Sequence, residues 1–299
     1  MRVLLSGASG LVGSRLTELL TYNDHTVVSL SRQKKDAKNS IQWNPEEEIT
    51  NIDDYENFDA VIHLAGENIA DERWSEQKKR RILDSRVKGT NNLVDAVLKT
   101  KNKPKVFISA SAIGIYGNRP HEKLNEESAP GDCFLADTCI AWEKASKKIE
   151  ENNIRLVKLR IGIVLAKKGG ALKKMLLPFS LGLGGKVGDG TAVLSWISNE
   201  DLCRMFVYAL ENNEINGAYN ATAPNPVANY EFTKTLASAL NRPAIFPIPE
   251  FVLKIIFGEM AKYTILSSLE VYPQKISEAG FKFEHETLRK ALKFELRKT

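Results

Sequence analysis

The apolar positions of this chain fall into two alternating kinds of segment. Short apolar runs at Arg2–Leu5, Thr26–Leu30 and Ala60–Leu64 have the length of buried strands, whereas Leu11–Leu20 spaces its apolar residues at helical intervals. That order predicts parallel strands joined by crossover helices. The rhythm continues, with further strand candidates at Val106–Ser109, Arg155–Arg160 and Gly217–Asn220, and helical stretches at Ser75–Lys99, Phe134–Glu150 and Asn199–Glu211. The expectation is an α/β fold: a Rossmann-type, doubly wound parallel sheet with a smaller C-terminal substrate lobe.

Glycine and proline mark where the chain leaves the sheet. Lys167-Lys168-Gly169-Gly170 and Leu181-Gly182-Leu183-Gly184-Gly185 follow Val164, and Pro224, Pro226, Pro243, Pro247 and Pro249 crowd the stretch after Thr222. We therefore expect a dinucleotide-binding domain over 1–165, rejoined by the chain at about 195–222, and a substrate-binding lobe over 166–194 and 223–299.

Composition narrows the class without changing it. The 299 residues suffice for a full core, and 43% hydrophobic with 26% charged residues is ordinary for a globular protein. The net charge of +5 is small, and its densest cluster, Lys78 to Arg81, lies in a predicted helix as a solvated face, so nucleic acid is not an expected partner. Nor is a membrane: the N-terminal apolar run is too short for a secretory signal, and Phe251 to Ala261 is interrupted by Lys254 and Glu259. Cys133, Cys139 and Cys203 are too irregularly spaced for a disulfide framework or zinc site, which points to the cytoplasm. His121 and His285 lack ligand-spaced neighbours, and no metal is expected.

Candidate chemistry begins where the first strand meets the first helix. Gly7-Ala8-Ser9-Gly10-Leu11-Val12-Gly13 gives G-x-x-G-x-x-G at that junction. Its glycines allow a tight turn and close backbone approach to a diphosphate, whose charge meets the free N–H groups and positive dipole end of the helix. A plain tight turn is the alternative. The second strand ends in Ser31-Arg32 where NAD sites carry a carboxylate; a guanidinium there favours the 2′-phosphate of NADP(H), unless Arg32 is simply a surface arginine. At the end of the next buried strand, His63-Leu64-Ala65-Gly66 offers a small-residue backbone that would lie beside the adenine ribose.

These motifs, with Val87 to Leu93, Ser109 through Tyr116-Gly117, and Arg160-Ile161-Gly162-Ile163-Val164, resemble the extended short-chain dehydrogenases. More narrowly, Gly66-Glu67-Asn68-Ile69-Ala70, Ser85-Arg86, Leu177 to Gly185 and Thr222 to Pro226 are similar to the YfcH-type epimerase family proteins, over nearly the whole chain. The resemblance implies Gly7, Ser9, Gly10, Leu11, Val12, Gly13, Ser31, Arg32, His63, Leu64, Ala65, Gly66, Ser109, Gly162 and Val164 as the cofactor site. Arg86 replaces the asparagine of most extended members, and the resemblance implies a contact to the cofactor phosphates; an ion pair with Asp84 is the other reading. It also makes a homodimer a candidate assembly.

The superfamily's hydride chemistry uses a tyrosine and a lysine four residues later on the helix after the fifth strand. Here that helix runs Phe134 to Lys144 without a tyrosine, and the one Tyr-x-x-x-Lys, Tyr230–Lys234, falls in the later lobe. Three groups remain near the carboxyl ends of the strands. Ser111 is a candidate substrate-binding hydroxyl, Glu67 a candidate acid or base or else a loop cap, and Tyr116 a candidate phenol or else a packing residue. The expectation is an NADP(H)-dependent oxidoreductase or epimerase on an unidentified small molecule, a nucleotide sugar by analogy. The alternative is a catalytically degenerate, nucleotide-binding regulator of the cell-division-inhibitor kind.

Overall fold

In a computed structural model, which describes residues 1–33 and 39–297, the predicted strands assemble into one sheet. Seven parallel strands compose it: β1 (Arg2–Ser6), β2 (Thr26–Ser31), β3 (Ser40–Gln42), β4 (Ala60–His63), β5 (Val106–Ala112), β6 (Arg155–Ile161) and β7 (Gly217–Ala221). Across the sheet their order is β7-β6-β5-β4-β1-β2-β3. The chain winds outward from β1 to β3, then crosses back to lay β4 on the other side of β1. This reversal separates the loops after β1 and β4, which is where open α/β sheets place ligands.

Burial on both faces explains the unbroken apolar strands. Helices α1 (Leu11–Tyr22) and α6 (Asn199–Glu211) cover one face through Leu16, Leu20, Leu202, Phe206 and Leu210, all packed on Val3, Leu5, Ile62 and Ile108. On the other, α2 (Glu76–Lys99) presents Leu93, Val94 and Val97 to Leu4, Val61 and Phe107. Ser75 caps α2 by accepting a 3.1 Å bond from the Lys78 amide, satisfying one of the donors that a helix start leaves open.

Two elements depart from the sequence expectation. The stretch expected as one helix to Glu150 divides into α3 (Phe134–Ala145) and α4 (Lys147–Glu151), because buried Ser146 turns its hydroxyl back onto the Glu143 carbonyl at 2.9 Å. Strand β3 escaped notice because three residues carry no period.

After β6 the chain leaves the sheet through α5 (Gly170–Ser180), and after β7 through α7 (Asn229–Leu240), α8 (Glu250–Phe257), α9 (Glu259–Tyr263), α10 (Gln274–Glu278) and α11 (Leu288–Arg297). Leu172, Phe179, Trp196, Phe232, Leu236 and Leu292 form an apolar cluster there. Trp196 is fully buried in this cluster with its indole N–H donated to the Asn225 carbonyl at 3.0 Å. Among the described residues no helix is long and apolar enough to cross a membrane. Truncating Trp196 to alanine removes the largest buried side chain of that cluster; a loss of about 3–5 kcal/mol is expected in urea unfolding followed by far-UV circular dichroism.

Candidate functional site

The turn after β1 is built by close approach of backbones. Gly7 takes φ +73°, a conformation that side chains disfavour, and its carbonyl accepts the Gly10 amide at 3.0 Å. A β-carbon on Gly13 would stand 2.1 Å from that same carbonyl, and one on Gly7 would stand 3.0 Å from the Ala65 nitrogen in the loop after β4. Only glycine allows this stacking of turn, helix and neighbouring loop. Helix α1 then opens at Gly10 with no side chain capping it and no acid in its first turn. Its first amides therefore lack an acceptor and lie at the positive end of the helix dipole, beside exposed Ser9.

At the end of β2, Ser31 is half-buried and accepts the Gln33 amide at 3.3 Å, while Arg32 is exposed. Among the described residues no carboxylate pairs with Arg32. The position where a carboxylate would repel a phosphate instead carries a guanidinium.

The loop after β4 is tied to β1 through buried polar groups. The Ser6 hydroxyl accepts the amides of Leu64 at 3.1 Å and Ala65 at 3.2 Å, and lies 2.6 Å from His63 Nδ1. With both lone pairs used, Ser6 donates its proton to Nδ1. His63 then carries its hydrogen on Nε2 and donates it to Thr90 Oγ1, 3.0 Å away on α2. The imidazole is fully buried and burial pulls its pKa down to about 4, so it stays neutral and braces the loop. What this stretch presents outward is the backbone of Leu64, Ala65 and Gly66.

Glu67 and Arg86 follow. The Glu67 carboxylate is 2.7 Å from the Lys78 ammonium and 3.3 Å from Arg81, which hold it below the usual carboxylate range and make it a poor proton donor. Lys78 itself is buried and also grips Asp71 at 2.6 Å, fastening the loop to α2. Arg86 Nη1 donates to the Glu67 carbonyl at 3.0 Å and the Ile82 carbonyl at 3.1 Å, and its guanidinium lies over the Trp142 ring at 5.1 Å. Asp84, the partner considered for it, pairs with Lys88 at 2.9 Å instead.

Beyond β4, a second network joins β5, β6 and α3. Ser111 donates to Glu143 at 2.8 Å, Arg160 pairs with the same carboxylate at 2.8 Å, and Arg160 also donates to the Tyr116 hydroxyl at 2.9 Å. Tyr116 passes its own proton to Asn220 Oδ1 at 2.7 Å, and the phenol is completely enclosed; burial raises its pKa against the pull of Arg160. Ser109 is buried and bonds the Ala110 carbonyl at 3.1 Å. Gly162 admits the Ser195 carbonyl, which a β-carbon would meet at 2.7 Å, and Val164 continues into the short strand Ile163–Leu165. Tyr230 and Lys234 sit on α7, on the second lobe.

Comparison with known proteins is decisive at this level. The family model described as "NAD dependent epimerase/dehydratase family" matches residues 3–222, which span the sheet and the glycine turn. The chain belongs to that family. A second model, a domain of unknown function designated DUF1731, matches residues 248–295 in the later lobe. The epimerase family protein YfhF of Bacillus subtilis is 39% identical over 98% of this chain and 97% of its own. The crystal structure of human epimerase family protein SDR39U1, solved with NADPH, superposes with a TM-score of 0.92 at 32% identity, covering both chains completely. A nucleoside-diphosphate sugar epimerase of Corynebacterium glutamicum superposes at 0.83 with 33% identity, over 99% of this chain and 58% of that one.

Sequence reasoning missed the epimerase-family chain's own polar scaffold: Ser6 and Thr90 around His63, and Glu143, Arg160 and Asn220 around Ser111 and Tyr116. A signal existed for one of these. Arg160 is a charge at the end of an otherwise buried strand, which demands a partner. Its partner was not legible, because Glu143 lies 17 residues earlier on a different element.

Two outcomes follow. The depressed His63 pKa means that the unfolded chain, near its ordinary 6.5, binds the proton first as pH falls, so stability is lost between about 6.5 and 4. Unfolding free energy is expected to fall by about 2 kcal/mol between pH 7 and pH 5 from this group alone, and that part of the loss should vanish in His63→Gln. Replacing Glu143 by glutamine should cost about 3 kcal/mol, since it strands the Arg160 guanidinium. Urea midpoints of the two chains at pH 7 measure it.

Proposed function

We propose that this chain binds NADP(H) and supports hydride transfer to or from a small molecule. The observation that carries the reading is the glycine cradle, which β-carbons at Gly7 and Gly13 would fill, opening onto uncapped helix amides. Gly7, Ser9, Gly10, Leu11, Val12 and Gly13 would hold the diphosphate by backbone N–H groups and close approach. Ser31 and Arg32 would take the 2′-phosphate, the guanidinium by charge-assisted bonds that a lone ribose hydroxyl does not repay. Leu64 and Ala65 would pass beside the adenosine and the diphosphate, with Gly66, Ser109, Gly162 and Val164 toward the other end. The NADPH carried by the human relative supports the same choice of coenzyme.

When bound, the cofactor supplies a hydride donor or acceptor at the carboxyl ends of β4 and β5. Around that place Ser111 is the group we assign to orienting the reacting oxygen. Its hydroxyl donates its one proton to Glu143 and so meets a substrate hydroxyl as an acceptor; Arg160 holds Glu143 in turn and also donates to the Tyr116 hydroxyl. Tyr116 acts through this bracing rather than by contact. Glu67, kept ionised by Lys78 and Arg81, secures the loop after β4. A nucleotide sugar is the substrate class favoured by the nucleoside-diphosphate sugar epimerase relative.

One observation favours a second reading, a binding protein without turnover. Helix α3 carries no tyrosine, and its Leu135 and Cys139, four residues apart, are both buried. Turnover of any carbonyl compound or nucleotide sugar in a broad panel, followed by NADPH absorbance, excludes it; stabilisation by NADPH with no turnover supports it.

Thermal shift with NADPH and NADH tests the coenzyme. Wild type is expected to be stabilised selectively by NADPH, and Arg32→Asp to lose about 10–100-fold in NADPH affinity while gaining or keeping NADH. An unchanged preference in that variant overturns the assignment of Arg32.

A further inference from the structure

The Arg86 guanidinium is the most exceptional charge beside the proposed site. It has five N–H donors, and the described residues accept only from Nη1, through the Glu67 and Ile82 carbonyls. Nε and Nη2 have no protein acceptor among the described residues, and no carboxylate forms an ion pair with it. Other cations nearby are neutralised: Lys78 by Glu67 and Asp71, Arg160 by Glu143, Lys88 by Asp84. Arg86 is also largely shielded from water, and that burial pulls its pKa down. A shielded cation with open donors is costly unless a ligand completes it.

Its position selects which part of the ligand. Across the sheet, Arg32 closes β2, the glycine turn closes β1, and Gly66 closes β4, so a dinucleotide bound in this order runs from adenosine to diphosphate to nicotinamide toward β5. Arg86 lies past the diphosphate cradle. A β-carbon on Gly66 would be 3.3 Å from its Cζ, and its guanidinium covers Trp142 of α3. Cys139, one turn earlier on α3, feels its charge directly. This is the helix that lacks the tyrosine–lysine pair.

We propose that Arg86, reaching in from α2, takes over the role of the missing α3 lysine by gripping the ribose hydroxyls of the nicotinamide half of the cofactor. This replaces the phosphate contact that the resemblance implies for it, and it rests on the NADP(H) reading above. The guanidinium supplies a fixed fork where lysine would supply a mobile point charge. Cys139 and Leu135 leave on α3 the apolar wall that such a fork requires. Arg86 is a positioning residue in this account and transfers no proton.

The test separates the two ends of the ligand. Binding of NADPH and of adenosine 2′-phosphate 5′-diphosphate, which keeps the 2′-phosphate and the diphosphate but has no nicotinamide ribose, is measured by calorimetry on wild type, Arg86→Met and Arg86→Lys. The expected result is a loss of roughly 10-fold or more for NADPH in Arg86→Met, with the truncated ligand within about twofold and Arg86→Lys intermediate. Equal weakening of both ligands would make Arg86 a phosphate contact, and unchanged binding of both would make it a strut between α2 and α3; either overturns the proposal. If Arg86→Met does not fold, the same ratio of the two ligands in Arg86→Lys decides. Failure of wild type to bind either ligand would instead overturn the cofactor reading, and is recognised as such.

Discussion

Much of this structure depends on one backbone contact, that between the turn after β1 and the loop after β4. Two segments from either side of the topological reversal meet so closely that a β-carbon on Gly7 would stand 3.0 Å from the Ala65 nitrogen. Ser6 then fixes them by accepting both Leu64 and Ala65 amides. The contact does two things at once. It holds β1 and β4 together at the reversal, and it brings the bare amides of α1 beside a small-residue backbone. His63 and Thr90 extend the tie to α2, so the glycine turn, the loop after β4 and the helix bearing Arg86 are linked through buried polar groups.

Charge is distributed around that unit with a consistent logic. Several scaffold cations are matched by acids: Lys78 by the acidic loop, Arg160 by Glu143, Arg15 by Glu200. Such pairs recover the cost of leaving water only when complete, and here they are. Among the described residues no acid forms an ion pair with Arg32 or Arg86. The two guanidinium groups flank the glycine turn, one after β2 and one on α2 against the loop after β4, so both lie along the path proposed for an extended polyanion.

The segments most readily read from the residues were those governed by period and by local chemistry. Leu11 to Tyr22 declared itself by helical spacing, and β1, β2 and β4 by short apolar runs, because burial on two faces leaves no polar positions to blur them. The division of α3 from α4 at Ser146 was not visible, since a serine inside a helix is ordinary until its burial is known. Tyr116 and Glu67 were equally ambiguous: both are residue types that do chemistry, and both turn out to be engaged with scaffold partners distant in the chain. Asp84 looked a natural partner for Arg86 by proximity in sequence, yet residues two apart on a helix point away from each other, and Asp84 meets Lys88 one turn on.

The sequence by itself determined the fold class, the glycine turn at the mouth of the first helix, the absence of a carboxylate after β2 and the absence of a tyrosine–lysine pair on α3, because each is a property of residue type at a local spacing. Only the tertiary structure decided which charges are spent on the scaffold and which are left open. Pairing depends on side chains that converge from separate elements, and the distance between Arg160 and Glu143, or between Ser6 and Ala65, is set by how strands stack and not by how residues are spaced along the chain.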